Sequence, residues 1–121
     1  MGKVDFIEYP KVMNSEVATA AFTSAVFDCR GMACLRAVGT PVGLVDAGGI
    51  DQDIVLQGSV NGSLWTDIID PLITFTAIAT EIQSALVDIR CYSLLRVVYD
   101  QKGATAGTIS LWVNLLPIND A

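Results

Sequence analysis

The sequence predicts an all-β chain folded as an antiparallel β-sandwich, and three observations carry that reading. The first is alternation. Between Thr108 and Leu116, Ile109, Leu111, Val113 and Leu115 share one face of an extended chain, and Thr108, Ser110, Trp112 and Asn114 share the other. Period two is the mark of a strand with one buried face. The second is punctuation: short β-branched and aromatic runs are separated by Gly, Asn, Asp and Pro, as in a many-stranded sandwich. The third is a repeat. An offset of 60 residues brings Asp28 onto Asp88, Arg30 onto Arg90, Leu35 onto Leu95, Arg36 onto Arg96 and Val38 onto Val98. All four arginines of the chain lie at these matched positions. An internal two-fold repeat is expected, each copy an Asp-x-Arg turn feeding a strand that ends Leu-Arg-x-Val.

Taken in order, residues 1–15 carry Pro10 and mixed polarity, and read as an N-terminal arm or edge strand ahead of a single sandwich domain over 16–121. Residues 16–27 are alanine-rich enough for a helix, but their β-branched residues and the turn at 28–31 favour a strand. Met32 to Val38 is a strand ended by Gly39-Thr-Pro41, and residues 39–52 form a loop around Gly48 and Gly49. Asp53 to Val60 is the next strand. Asn61-Gly62 signals a type I′ hairpin turn, with positive φ at both residues, into a partner strand from Leu64 to Ile69 that stops at Asp70-Pro71. Over 72–87, Ile73 and Phe75 suit a strand, whereas Ala77 to Leu86 suits one or two helical turns. Leu94 to Asp100 is a strand, 102–107 a turn, and Thr108 to Leu116 the closing strand. The expected core is Leu35, Ile54, Leu56, Leu95, Val97, Ile109, Leu111 and Val113.

Composition narrows the function classes. The 121 residues suit one domain, yet 52% are hydrophobic and only 17% charged, below the ~25% usual for soluble domains. That is more apolar surface than one small core needs, so it is buried in a bilayer or against other subunits. No apolar run approaches the ~20 residues of a spanning helix. The first eight residues are too acidic and broken for a signal peptide, and Phe6 stands where a myristoylation motif needs Ser or Thr. A soluble assembly subunit is expected. A net charge of −6 argues against nucleic acid, whose phosphates require clustered Lys and Arg. Cys29, Cys34 and Cys91 are odd in number and lack CxxC spacing, as expected of reduced thiols.

Catalytic patterns are absent. There is no histidine, which removes Ser-His-Asp and Cys-His nucleophiles and the commonest metal ligand. No enzymatic activity and no cofactor are expected. Asp46, Asp51 and Asp53 offer oxygen ligands to Ca²⁺ without matching an EF-hand loop, and solvated loop aspartates are the commoner explanation. Asn61-Gly-Ser63 has the form of a glycosylation sequon, for which the turn suffices as an explanation. Trp65 and Trp112 are candidates for an aromatic sugar platform, against the commoner role of packing.

Applied to the repeated strands, period two places Leu95, Val97 and Tyr99 inward. It places Arg90, Tyr92, Leu94, Arg96 and Val98 outward, and in the first copy Arg30, Met32, Cys34, Arg36 and Val38. Arginine, aromatic and aliphatic groups in mixture are what subunit contacts enrich. Arg30, Met32, Arg36, Arg90, Tyr92, Leu94 and Arg96 are therefore the candidate interface. The alternative is that the arginines pair within the chain with Asp28, Asp88 or Asp100.

Three motifs also carry a resemblance. Leu56-Gln-Gly-Ser-Val-Asn-Gly-Ser-Leu-Trp-Thr-Asp-Ile68 resembles the hairpin of small tailed-phage virion proteins, Tyr92-Ser-Leu-Leu-Arg-Val-Val-Tyr99 their "Tyr-Arg-Tyr-Leu-Arg-Val" strand, and Thr105-Ala-Gly-Thr-Ile-Ser-Leu111 the strand that closes them. The likeness covers residues 26–116 in family order, and departs at Ser93, where the family often has a basic residue. The same words occur in discoidin-like sugar-binding sandwiches. The resemblance implies a jelly-roll-like capsid decoration (cement) protein, made in the host cytoplasm and carried on the virion surface. Its implied partners are the major capsid protein and further copies of itself as a homotrimer, with no nucleic acid or membrane. The other reading is a discoidin-like glycan-binding module of a phage fibre or tail accessory.

Overall fold

The chain alternates between two antiparallel sheets, each taking its buried face from every second residue. The computed structural model describes residues 7, 8 and 11–118, and among these there is no helix. The strands are β1 (Ile7–Glu8), β2 (Met13–Val17), β3 (Phe22–Thr23), β4 (Phe27–Asp28), β5 (Met32–Asp46), β6 (Asp53–Ser59), β7 (Thr66–Thr74), β8 (Ile82–Gln83), β9 (Val87–Asp88), β10 (Leu94–Asp100) and β11 (Ala104–Pro117). In the first sheet β11 and β5 are central, β1 and β2 edge β11, and β8 and β9 edge β5. In the second sheet β10 and β6 are central, β7 edges β6, and β3 and β4 edge β10. Counting each interrupted edge as one strand gives eight strands in two four-stranded sheets, the jelly-roll arrangement. Of the expected N-terminal arm, residues 1–6, 9 and 10 lie outside the described residues; β1 and most of β2 pair with β11.

The repeat is expressed by exchange. The first copy's edge, β3 and β4, pairs with the second copy's strand β10, while the second copy's edge, β8 and β9, pairs with β5 of the first. The registers agree residue by residue at the 60-residue offset. Thr23 lies opposite Val98 as Gln83 lies opposite Val38, and Asp28 opposite Leu94 as Asp88 lies opposite Cys34. The strands that follow are exchanged as well, β6 pairing β10 and β11 pairing β5. Two copies of one half-fold are thus related by a pseudo-two-fold axis.

All eight expected core residues are fully buried between the sheets. They are joined by Met13, Leu44, Phe75, Ile89, Tyr99 and Leu115, also buried. Burial pushes the Tyr99 hydroxyl up to about 12, and it donates to the Ala18 carbonyl at 2.9 Å. The same cause pushes the Cys29 thiol up to about 11.

Several expected boundaries are corrected. Strand β5 does not stop at Gly39-Thr-Pro41 but runs on to Asp46, so the loop shrinks to 47–52. Gly39 stands there for space: a Cβ would lie 2.9 Å from the Phe75 ring. Pro41 is tolerated because the β8 ladder pairs only Val38 and Gly39, so Pro41 is asked for no ladder hydrogen bond on that side. Asn61-Gly62 is not a two-residue turn. Only Gly62 has positive φ, and residues 60–65 form a longer loop. Side chains hold it: Ser59 Oγ accepts from the Gly62 amide at 2.8 Å, and Asn61 Oδ1 from the Ser63 amide at 2.8 Å. Strand β7 passes through Asp70-Pro71, whose peptide is cis, as an edge strand can. The helical turns considered for 77–86 are replaced by a loop and the short edge strand β8.

Candidate functional site

The candidate residues divide between the two turns of the repeat and the two outer sheet faces. In each turn the aspartate closes on its own arginine. Asp28 Oδ1 accepts from the Arg30 amide at 2.9 Å, and its carboxylate lies 2.6 Å from the guanidinium; Asp88 and Arg90 repeat this at 3.0 and 2.8 Å. The arginine hydrogen bonds hold both carboxyls down at about 2. Arg30 and Arg90 are therefore paired within the chain, as the alternative reading had it, on an exposed end of the sandwich. They do not share the strand face, because strand β10 begins only at Leu94 and the period does not run back through the turn. For the same reason Tyr92 packs on the core, its ring so close to Gly58 that a Cβ there would lie 2.6 Å from it. Met32, at the start of β5, also packs on the core.

Arg36 and Arg96, matched by the repeat, emerge on opposite outer faces. On the first sheet, half-buried Arg36 lies opposite Asn114, Cys34 opposite Leu116, and Val38 opposite Trp112. Lys11 caps the Trp112 ring with its ammonium 4.6 Å from the centroid. The face is continuous, and among these residues only Arg36 and Lys11 carry a formal charge.

On the second sheet, Arg96 lies opposite Gln57, which lies opposite Asp67 on the next strand. Arg96 Nε donates to Gln57 Oε1 at 2.7 Å, and Gln57 Nε2 donates to Asp67 Oδ1 at 2.8 Å. The Arg96 guanidinium stacks 4.3 Å from the Trp65 centroid. Leu94 stands beside this row, against the 60–65 loop at Gly62. Trp65 and Trp112 thus belong to faces that point away from each other, and the shared sugar platform is ruled out by geometry.

Gln57 and Asp67 were not legible as site residues, since their alignment depends on the true length of the 60–65 loop. The repeat also extends further back than the Asp-x-Arg turns, to Ser24-Ala25 and Ser84-Ala85, which keep the 60-residue offset. Among the aspartates considered for calcium, Asp46 accepts from buried Gln52 at 2.7 Å and Asp53 from Lys102 at 2.8 Å. No group of three metal-binding side chains gathers among the described residues. Cys29 is buried, Cys34 half-buried and Cys91 exposed, all as free thiols.

No protein-family model matches the chain. No curated protein matches it in sequence. Solved structures do share its architecture. The SPBc2 prophage-derived protein YomS superposes with a TM-score of 0.51 at 11% identity, over 96% of both chains. The CBM22-1-GH10 modules of Clostridium thermocellum xylanase 10B, solved with xylohexaose, give 0.51 at 8% identity over 94% of this chain and 29% of theirs. The K1 cleaved adhesin domain of Lys-gingipain from Porphyromonas gingivalis W83 gives 0.47 at 15% identity, over 82% of this chain and 63% of that one. At such identities the first two comparisons establish a shared β-sandwich fold.

Proposed function

We propose that this chain is a non-catalytic structural protein of a phage virion, a decoration (cement) protein that binds the outside of the capsid and stabilises it. One observation carries the reading: the outer face of the first sheet, where Arg36, Asn114, Val38, Trp112, Cys34 and Leu116 form a continuous half-buried surface of low charge. Arginine and aromatic groups among aliphatic ones are the composition of contact surfaces, and Arg36 can make two-point bonds to a partner carboxylate while its stem covers apolar area. The end-to-end likeness to a prophage-derived protein supports a virion setting. The partners in this reading are the major capsid protein and further copies of the chain, as trimers.

Co-sedimentation with capsids assembled without this protein tests it. Saturable binding at a fixed ratio to capsomers, with a rise in the capsid melting temperature, is expected. A chain that stays in the supernatant at micromolar concentration would falsify the reading.

A further inference from the structure

We infer that the outer face of the second sheet is a binding groove for a neutral pyranose saccharide. The register of this sheet sets its outward residues in three rows. The first is Arg96, Gln57 and Asp67, bonded one to the next as described above. The second is apolar: Val98 lies opposite Val55 on one side and Thr23 on the other. The third is polar again, with Asp53 between Asp100 and Thr74 and accepting from Thr74 Oγ1 at 2.6 Å. An open groove follows these rows, lined by Ala21, Val55, Gln57, Asp67, Val98 and Asp100.

An apolar strip between two polar rows matches the chemistry of a sugar ring. A pyranose presents C–H groups on its faces and hydroxyls around its rim. Laid on Val55 and Val98, it would bury the C–H face and direct hydroxyls to both rows. Successive outward residues of a strand stand about 7 Å apart, so the polar rows are about 14 Å apart. That spacing holds one ring with its hydroxyls and the side chains reaching toward it. The groups are held in advance: the Arg96–Gln57–Asp67 chain fixes which way the Gln57 amide faces, and the Trp65 stack holds Arg96 in place. Such preorganisation lowers the entropic cost of binding. A mostly apolar floor with few placed polar groups is the usual make-up of a ligand site. Charge selects the class. The charged residues lining the groove are Asp67 and Asp100, both acidic, and Asp53 beside them is paired with Lys102, which disfavours acidic sugars. The groove lies on the sheet opposite the face assigned to the capsid, and it rests on its own geometry rather than on that assignment.

The test is native electrophoresis of the free protein through gels containing soluble neutral glucan, mannan, xylan or galactan, one per gel. At least one polysaccharide is expected to retard the wild type and Trp112→Ala equally. Asp67→Ala removes an exposed carboxylate, and Ala21→Arg fills the groove from an exposed position without removing any contact. Each should weaken the retardation at least tenfold with an unchanged melting temperature. The inference is overturned by a wild type that no neutral polysaccharide retards. Retardation kept in both groove variants, or lost in Trp112→Ala, overturns it as well. No capsid enters this assay, so its failure would leave the capsid reading untouched.

Discussion

Ser24 and Ser84 make the same hydrogen bonds in opposite sheets. Where the edge strand β3–β4 breaks, the Ser24 amide donates to the Val97 carbonyl and its Oγ accepts from the Val97 amide, both at 2.9 Å. Where β8–β9 breaks, the Ser84 amide and Oγ do the same for Ala37, both at 2.8 Å. Each hydroxyl then donates to the next residue's carbonyl, Ala25 or Ala85. A serine side chain stands in for a backbone carbonyl, so the strand can bend without leaving a buried amide of the inner strand unpaired.

Ser24→Ala and Ser84→Ala should therefore destabilise by similar amounts, about 1–3 kcal/mol each, because each leaves one buried N–H unsatisfied. The bridges lie in different sheets, so the double variant should be close to additive. Urea denaturation of the four proteins checks this; midpoints unchanged in both single variants would show that the bridges do not stabilise the fold.

Leu95→Ala and Leu111→Ala each empty a fully buried position, one in each sheet. Each should cost ~2–5 kcal/mol, the usual range for a buried leucine. A melting curve indistinguishable from wild type would contradict the packing described.

Alkaline pH should weaken the fold through Tyr99. Its folded pKa is raised from 10.0 to about 12, so the folded state keeps a proton that the unfolded chain releases. The contribution is intact below pH 10 and is lost as pH rises through about 12, amounting to roughly 2–3 kcal/mol. Tyr99→Phe should flatten this part of the stability–pH profile. An equally steep profile in the variant would assign the loss to other groups.

The thiols should be reduced and graded in reactivity. Cys91 is exposed and Cys34 half-buried, while Cys29 is buried with a pKa pushed up to about 11. Timed alkylation should label Cys91 first and Cys29 only on unfolding. Two labels missing together after denaturation would reveal a disulfide and overturn this.

The fold was legible where one residue type alternates against another. Ile109 to Leu115 and Leu95 to Tyr99 declared their faces because Ser110, Asn114 and Arg96 stand among the outward residues and an unbroken apolar series runs only along the other face. The repeat was legible in Asp28, Arg30, Arg36 and their partners, and it organises both sheets. Boundaries were legible only where Gly and Pro break strands. Gly39 instead makes room for Phe75, and Pro71 sits on an edge strand, so neither stops its strand. The outer faces were half legible. Arg36 and Arg96 follow from period two, but the row joining Arg96 to Gln57 and Asp67 depends on a loop whose length is set by the Ser59 and Asn61 side chains, which the Asn-Gly pair alone does not reveal.

The proposed contact of the first sheet's outer face with the shell is tested most directly by Arg36→Lys. Lysine keeps the charge and loses the planar two-point geometry. Titrated against capsids, Arg36→Lys should bind more weakly than wild type by roughly 1–3 kcal/mol at an unchanged melting temperature, while Arg96→Lys, on the opposite face, binds as wild type. Wild-type capsid affinity in Arg36→Lys, together with a lowered melting temperature, would show that Arg36 serves only the fold.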